Sequence, residues 1–270
     1  MIQIKNVKLG SNLPFVLIAG PCVVENEKIT FTTAEQIKKI SSKLDIPFIF
    51  KSSYKKANRT SIKSFTGIGD QEAILILNKV RNEFDVPILT DVHSASEITM
   101  LSDTADILQI PAFLCRQTEL LLAAGETGKT VNVKKGQFLA PEDMKHTIEK
   151  IESTGNKKIL LTERGSTFGY HNLVVDMRSL VVMKEFGYPV VMDSTHSVQV
   201  PGSGGKTGGQ PKFIKPLSKA AAAVGIDALF LEVHPDPVNA MSDAESQLPL
   251  SELENLLIEI QQIDRLVKKL

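Results

Sequence analysis

The sequence predicts an α/β fold, a (β/α)8 or TIM barrel forming a single domain over residues 1–270, on three observations. Short apolar runs rich in Val, Ile and Leu recur eight times, helical patterns separate them, and 270 residues suit eight strand-helix pairs. Most runs lack polar alternation, as strands buried on both faces of a parallel sheet do. An open doubly wound sheet is the competing architecture, and it normally uses fewer strands.

At the N-terminus, MIQIKNVKLG alternates apolar with polar or charged side chains. There IQIKNV with the turn LGSN predicts a small β-hairpin closing the barrel floor. The eight runs follow as FVLIAG (15–20), PFIFK (47–51), PILTD (87–91), DILQI (106–110), TVNVK (130–134), KILLTE (158–163), PVVMD (189–193) and ALFLEV (228–233). Two long connections, 52–69 and 194–212, stand out, and long loops inside a compact domain are usually functional. The last helix is the clearest, with Ser251 and Glu254 read as a capping box. Apolar residues from Leu253 to Leu270 then fall at helical spacing, and Lys268 and Lys269 suit the helix dipole at its end.

Composition excludes several function classes. The 31 basic and 31 acidic side chains leave a formal net charge of +0, so no global field holds a nucleic acid or a membrane surface, and any anion must be met by local clusters. Only Cys22 and Cys115 occur, the N-terminus lacks the apolar core of a signal peptide, and no uncharged apolar run approaches the roughly 18 residues of a membrane span. A soluble protein in a reducing, cytoplasmic setting is expected.

Barrel chemistry lies at the C-terminal strand ends. Reading each run to its end gives Cys22, Lys51, Asp91 with His93, Gln109, Lys134, Glu163 with Arg164, Asp193 with His196, and Glu232 with His234. Any strand must end in a polar loop, but eight consecutive ionisable or polar endings ask for more. One group is cationic. Lys51, Lys55, Lys56, Arg59 and Lys63 occur without an intervening acid, and Lys134, Lys135 and Arg164 join them if the barrel closes, a concentration suited to phosphate and carboxylate. A solvated basic loop is the alternative. The other group is Cys22, His196, Glu232 and Asp243, a sulfur, nitrogen and oxygen set that suits zinc, iron or manganese better than magnesium or calcium. Cys22 equally fits a small buried hydrophobe.

Two nucleotide motifs fail. GSGGKT has Val200 where a Walker loop needs its first glycine, and GIGDQE has Glu72 where a dinucleotide fingerprint needs its last. No nucleotide or organic cofactor is expected. The glycines at 202, 204, 205, 208 and 209 suggest instead a mobile lid beside His196.

The segments IAGPCVVE, FKSSYKKANRTS, LQIPAFLCRQT, VNVKKGQFLAP, LTERGSTFGY, DSTHSVQVPG, LEVHPDP and MSDAESQLPL resemble 3-deoxy-D-manno-octulosonate 8-phosphate synthase. They do so in order over essentially the whole chain. The resemblance implies a (β/α)8 barrel, commonly homotetrameric, and a transferase of lipopolysaccharide biosynthesis. Such an enzyme condenses phosphoenolpyruvate with D-arabinose 5-phosphate and water, releasing phosphate. A sister family, 3-deoxy-D-arabino-heptulosonate 7-phosphate synthase, uses erythrose 4-phosphate and typically shows KPRTS where this chain has ANRTS. A catalytically silent barrel that binds sugar phosphates is the rival from another class.

The family has a metal-dependent branch with cysteine in the first strand-end motif, so the resemblance implies the ligands Cys22, His196, Glu232 and Asp243 for a divalent ion. It implies Lys134 and Arg164 as the phosphoenolpyruvate clamp, with Lys51, Lys56 and Gln109 nearby. Asn58, Arg59 and Thr60 should hold arabinose 5-phosphate, Arg59 and Thr60 acting across a subunit interface, with Asp91 and His93 in the same pocket. His196, Asp243 and Lys56 are the expected catalytic groups.

Overall fold

The computed structural model describes residues 1–59, 61–200 and 208–270. The chain opens with β1 (Ile2–Ile4) and β2 (Val7–Leu9), an antiparallel hairpin. It reverses at Lys5 and Asn6, where Lys5 takes the left-handed φ of 49°, so LGSN lies after the hairpin instead of forming its turn.

The next strands are β3 (Val16–Gly20), β4 (Phe48–Lys51), β5 (Ile88–Asp91), β6 (Ile107–Ile110), β7 (Thr130–Lys134), β8 (Ile159–Glu163) and β9 (Val190–Asp193). Each pairs in parallel with the next. After the short ladder of β10 (Gln199–Val200) with β11 (Gly208–Gly209) comes β12 (Ala228–His234). It pairs in parallel with both β9 and β3, and this closes an eight-stranded barrel among the described residues. All eight apolar runs of the sequence are barrel strands, which rules out the open sheet. A last short strand, β13 (Leu248–Pro249), lies beside the end of β12.

Helices pack outside: α1 (Glu27–Lys43), α2 (Asp70–Glu83), α3 (Ala95–Leu101), α4 (Thr118–Glu126), α5 (Met144–Glu152), α6 (Met177–Lys184), α7 (Ile214–Val224) and α8 (Leu250–Lys268). Helix α1 starts where the Asn26 side chain accepts the Ile29 N–H, and α7 stops at Gly225 in the left-handed region. The capping box expected at Ser251 is not formed. Pro249 is the cap residue, Ser251 is already inside α8, and Glu254 pairs with Lys43 of α1. Lys268 does more than answer the dipole. It is buried, pairs with Asp264 at 2.7 Å and donates to the carbonyls of Leu13 and Ile226, tying α8 to the barrel. No helix among the described residues is long and apolar enough to cross a membrane.

Two apolar layers result. One lies between strands and helices. The other fills the barrel interior, where Ile18, Ile49, Leu89, Ile107, Leu160, Val191 and Phe230 meet Ile2, Ile4, Val7 and Leu9 of the hairpin. The hairpin therefore plugs the floor, as the sequence predicts.

Candidate active site

Successive side chains of a strand point to opposite faces, so the inward set continues two residues beyond the floor layer. Along the strands Ile49 leads to Lys51, Leu89 to Asp91, Ile107 to Gln109, Val191 to Asp193 and Phe230 to Glu232. Each of these five strands thus carries an apolar residue below and a polar or charged one above. Gly20 lets β3 approach β4 closely, since a Cβ there would collide with the Lys51 carbonyl. Just past it, Cys22 comes to rest with its carbonyl 3.1 Å from Lys51 Nζ.

Ligand atoms of Cys22, Glu232 and Asp243 lie within 4.8 Å of one another. His196 Nε2 stands 3.6 Å from Glu232 and 3.9 Å from Asp243. The other ring nitrogen, Nδ1, is 2.8 Å from the buried Asp193 carboxylate, the carboxylate–imidazole arrangement that turns Nε2 toward a metal. Asp243 sits at φ 49°, a left-handed conformation that Asp tolerates and that concentrates at functional sites. The residues fit a metal. Glu232 Oε2 is buried with no hydrogen-bond partner among the described residues. Burial, then the charge of Glu232, pushes the Cys22 thiol up, so a thiolate there needs a cation beside it.

Around this cluster stand buried cations. Lys51 Nζ lies 2.5 Å and Lys56 Nζ 3.7 Å from Glu232, and Lys134 Nζ lies 2.7 Å from Asp193 and 4.3 Å above the Phe230 ring. Burial opposes the charge of Lys56, but Cys22, Glu232, Asp91 and Asp243 outweigh it and raise its affinity for the proton. For Lys134 and Arg164 burial wins, and both are held below their ordinary values. Burial works against Asp91, Asp193 and Glu232 as well, yet the neighbouring cations hold all three carboxyls low: Lys56 and Lys51 for Asp91, and His196 first for the other two. A polar chain crosses the barrel beneath them, Thr162 donating to Asn132, Asn132 to Gln109, and Gln109 and Ser53 to Asp91.

Of the sequence-expected residues, Cys22, Lys51, Lys56, Asp91, Gln109, Lys134, Arg164, His196, Glu232 and Asp243 are brought to this end of the barrel. Arg59 reaches it from the 52–69 loop, donating to Ser242 Oγ at 2.9 Å, while Asn58 is exposed. A cavity of about 940 Å³ opens beside them, with Arg59, Phe65, Lys212, Asp243 and Gln247 in its wall. His93 stands near Asp91, but its Nδ1 is engaged by Glu97 at 3.0 Å.

Three cations of the expected basic cluster do not face the site. Lys55 pairs with Asp70 and Glu97, and Lys63 is exposed. Lys135, one residue past Lys134 and so on the opposite face, donates to the Leu139 carbonyl and to Ser166. Thr60 and the glycines at 202, 204 and 205 lie outside the described residues. Gly208 and Gly209 pair with Val200 and Gln199.

Sequence reasoning gave Asp193 no role and missed Gln199, Ser242 and Gln247. Gln199 donates to Asp243 Oδ2 at 3.0 Å and accepts from Arg164 at 2.7 Å, bridging these two groups. Its position one helical turn beyond His196 was the available signal.

The chain matches the DAHP synthetase I family over residues 1–269. It is 55% identical over 270 residues to the 2-dehydro-3-deoxyphosphooctonate aldolase of Rickettsia felis, covering 100% of this chain and 98% of that protein. The protein of the same name from Rickettsia rickettsii is 54% identical with the same coverage. That of Syntrophotalea carbinolica is 53% identical, covering 99% of this chain and 97% of its own length.

Proposed function

We propose a function that proceeds from one premise: the chain belongs to the DAHP synthetase I family. Within it, the chain acts as a 3-deoxy-D-manno-octulosonate 8-phosphate synthase, a transferase of lipopolysaccharide biosynthesis in the cytoplasm. The observation that carries this reading is the cluster of Cys22, Glu232 and Asp243 within 4.8 Å, faced by His196 and ringed by Lys51, Lys56, Lys134 and Arg164. That is a divalent-ion site inside an anion-binding pocket. The curated names of the relatives support the same chemistry. No nucleotide or organic cofactor enters the reading.

Phosphoenolpyruvate supplies carbon 3 as nucleophile, and the aldehyde carbon of arabinose 5-phosphate accepts the new C–C bond. The aldehyde oxygen takes a proton, the oxygen of water adds at carbon 2, and phosphate leaves. Lys134 and Arg164, both desolvated, clamp phosphoenolpyruvate, with Gln109 and Lys51 beside it. Each charge-assisted bond contributes about 1.5–3 kcal/mol, and alignment of the reactants lowers the barrel-bound barrier further. Asn58, Arg59 and Thr60 receive the sugar phosphate, with Asp91 and His93 toward the sugar. Lys56 is kept charged by the surrounding anions and donates to the developing alkoxide, while Asp243 takes the proton of water, or His196 does when its Nε2 is not engaged by a metal. A divalent ion held by Cys22, His196, Glu232 and Asp243 supplies Lewis acidity toward the aldehyde or the water. Zinc, iron and manganese all suit this donor set.

Assembly belongs to the same reading. Ile62, Phe168 and Tyr170 are almost fully exposed on loops at the mouth, an apolar surface suited to a second copy. The resemblance has Arg59 and Thr60 act across a subunit interface, but Arg59 donates to Ser242 of its own chain, and in this reading Arg59 serves its own site. Mixed tetramers of R59A and C22S chains should therefore stay inactive, each chain serving its own site, and recovered activity would show instead that the site is shared between subunits.

Phosphate release tests the function. Turnover is expected with arabinose 5-phosphate, to be abolished by chelation and restored by added divalent ion. Preference for erythrose 4-phosphate points to the heptulosonate reaction, and calorimetric binding without phosphate release to a silent barrel.

A further inference from the structure

We propose that Ser242 is a positioning residue that couples the Cys22 sulfur to the Arg59 guanidinium, so that the metal and sugar-phosphate subsites sense each other. The inference rests on the reading above of Cys22 as a ligand and Arg59 as a phosphate-binding group. Ser242 is buried, its Oγ lies 3.2 Å from Cys22 Sγ, and it accepts a hydrogen bond from Arg59 Nη1 at 2.9 Å. Both ends of this bridge are fixed. Gln247 Nε2 donates to the Ser242 carbonyl at 2.9 Å, and Gln247 Oε1 accepts the Cys22 N–H at 3.2 Å. The next residue, Asp243, is itself a candidate ligand.

A hydroxyl has one proton to give and two lone pairs to fill. With Cys22 as a thiol, the S–H donates into Oγ. A sulfur bound to metal has no proton, so only Ser242 can supply one, and the hydroxyl then donates to the thiolate. Arg59 fills an acceptor position of Oγ in both cases. Its positive charge polarises the hydroxyl and strengthens donation to sulfur, as in any charge-ended hydrogen-bond chain. Arg59 Nε is buried and has no partner among the described residues, a donor that an anion could take. A phosphate taken there draws on the same charge that supports the thiolate, and by linkage each ligand alters the affinity of the other equally.

The test uses Co(II) as probe in the metal-stripped full-length chain, reading affinity and the energy of the sulfur-to-cobalt charge-transfer band. S242A is expected to bind Co(II) about 10–100-fold more weakly. Its band should move to longer wavelength, because the thiolate loses a donor, and S242T should restore both. R59A is expected to weaken Co(II) about three- to tenfold in the wild-type background and less than twofold in S242A. Where S242A does not fold by circular dichroism, S242G carries the same comparison. An unmoved band with additive effects of the two substitutions overturns the inference. Retention of the band in C22S overturns instead the assignment of Cys22 as a ligand.

Discussion

The two ends of the barrel interior are equally buried and chemically opposite. At the floor, Ile18, Ile49, Leu89, Ile107, Leu160 and Val191 close over the hairpin residues Ile4 and Leu9. Toward the C-terminal ends of the barrel strands, or just past them, stand Lys51, Asp91, Gln109, Lys134, Arg164, Asp193 and Glu232, each no more than 6% exposed. Floor burial stabilises by about 25 cal/mol per Å² of apolar surface. Mouth burial costs desolvation for every charge, offset only by mutual pairing. Burial by itself therefore does not mark a core: the floor holds the fold together, and the mouth spends part of that stability on a charged, preorganised pocket.

The contrast can be broken most severely at the mouth. E232A removes a central candidate ligand, and activity should fall at least about a thousandfold, as loss of several kcal/mol of transition-state stabilisation requires; phosphate release by the folded variant measures it. Next in size is K51M, which removes the nearest cation of the buried Glu232 carboxylate and should cost up to about 3–5 kcal/mol in urea denaturation. The double variant K51M/E232Q should regain most of that stability while remaining inactive, showing that the pair is kept for chemistry. At the floor, L9A should cost about 2–5 kcal/mol and leave turnover unchanged at temperatures where it stays folded.

The smallest effect is in acid. Asp91 has its carboxyl lower in the folded chain than in the unfolded one, held there against burial by Lys56, Lys51 and His93. Its contribution is present above the unfolded carboxyl range near pH 4 and is lost as pH falls below it. Urea titrations of D91N should accordingly show a shallower loss of stability with acid, by on the order of 1–2 kcal/mol.

How much of this was legible follows the same division. Strands buried on both faces leave continuous apolar runs, so all eight were readable, and so was the polar residue ending each. The parity of a strand would also have separated Lys134 from Lys135, whose side chains take opposite faces. The hairpin turn at Lys5 and Asn6 carries no glycine and was misplaced onto LGSN. The α8 start was displaced because Pro249 ends β13 and caps the helix at once. Cys22 looked like a small core residue until its motif was matched, since nothing local distinguishes a buried thiol from a ligand. Ser242 and Gln247 were illegible for a further reason, and Gln199 offered only its spacing from His196. Their partners Cys22, Arg164 and Asp243 come from loops brought together only by barrel closure.

The central claim, that the mouth is a metal-dependent site for joining phosphoenolpyruvate to arabinose 5-phosphate, is tested most directly by titrating a divalent ion into the metal-stripped chain. Bound metal and phosphate release are followed in the same samples. Turnover should rise in proportion to occupancy and level off at one ion per chain, whereas full turnover in a sample verified to be metal-free would contradict the account.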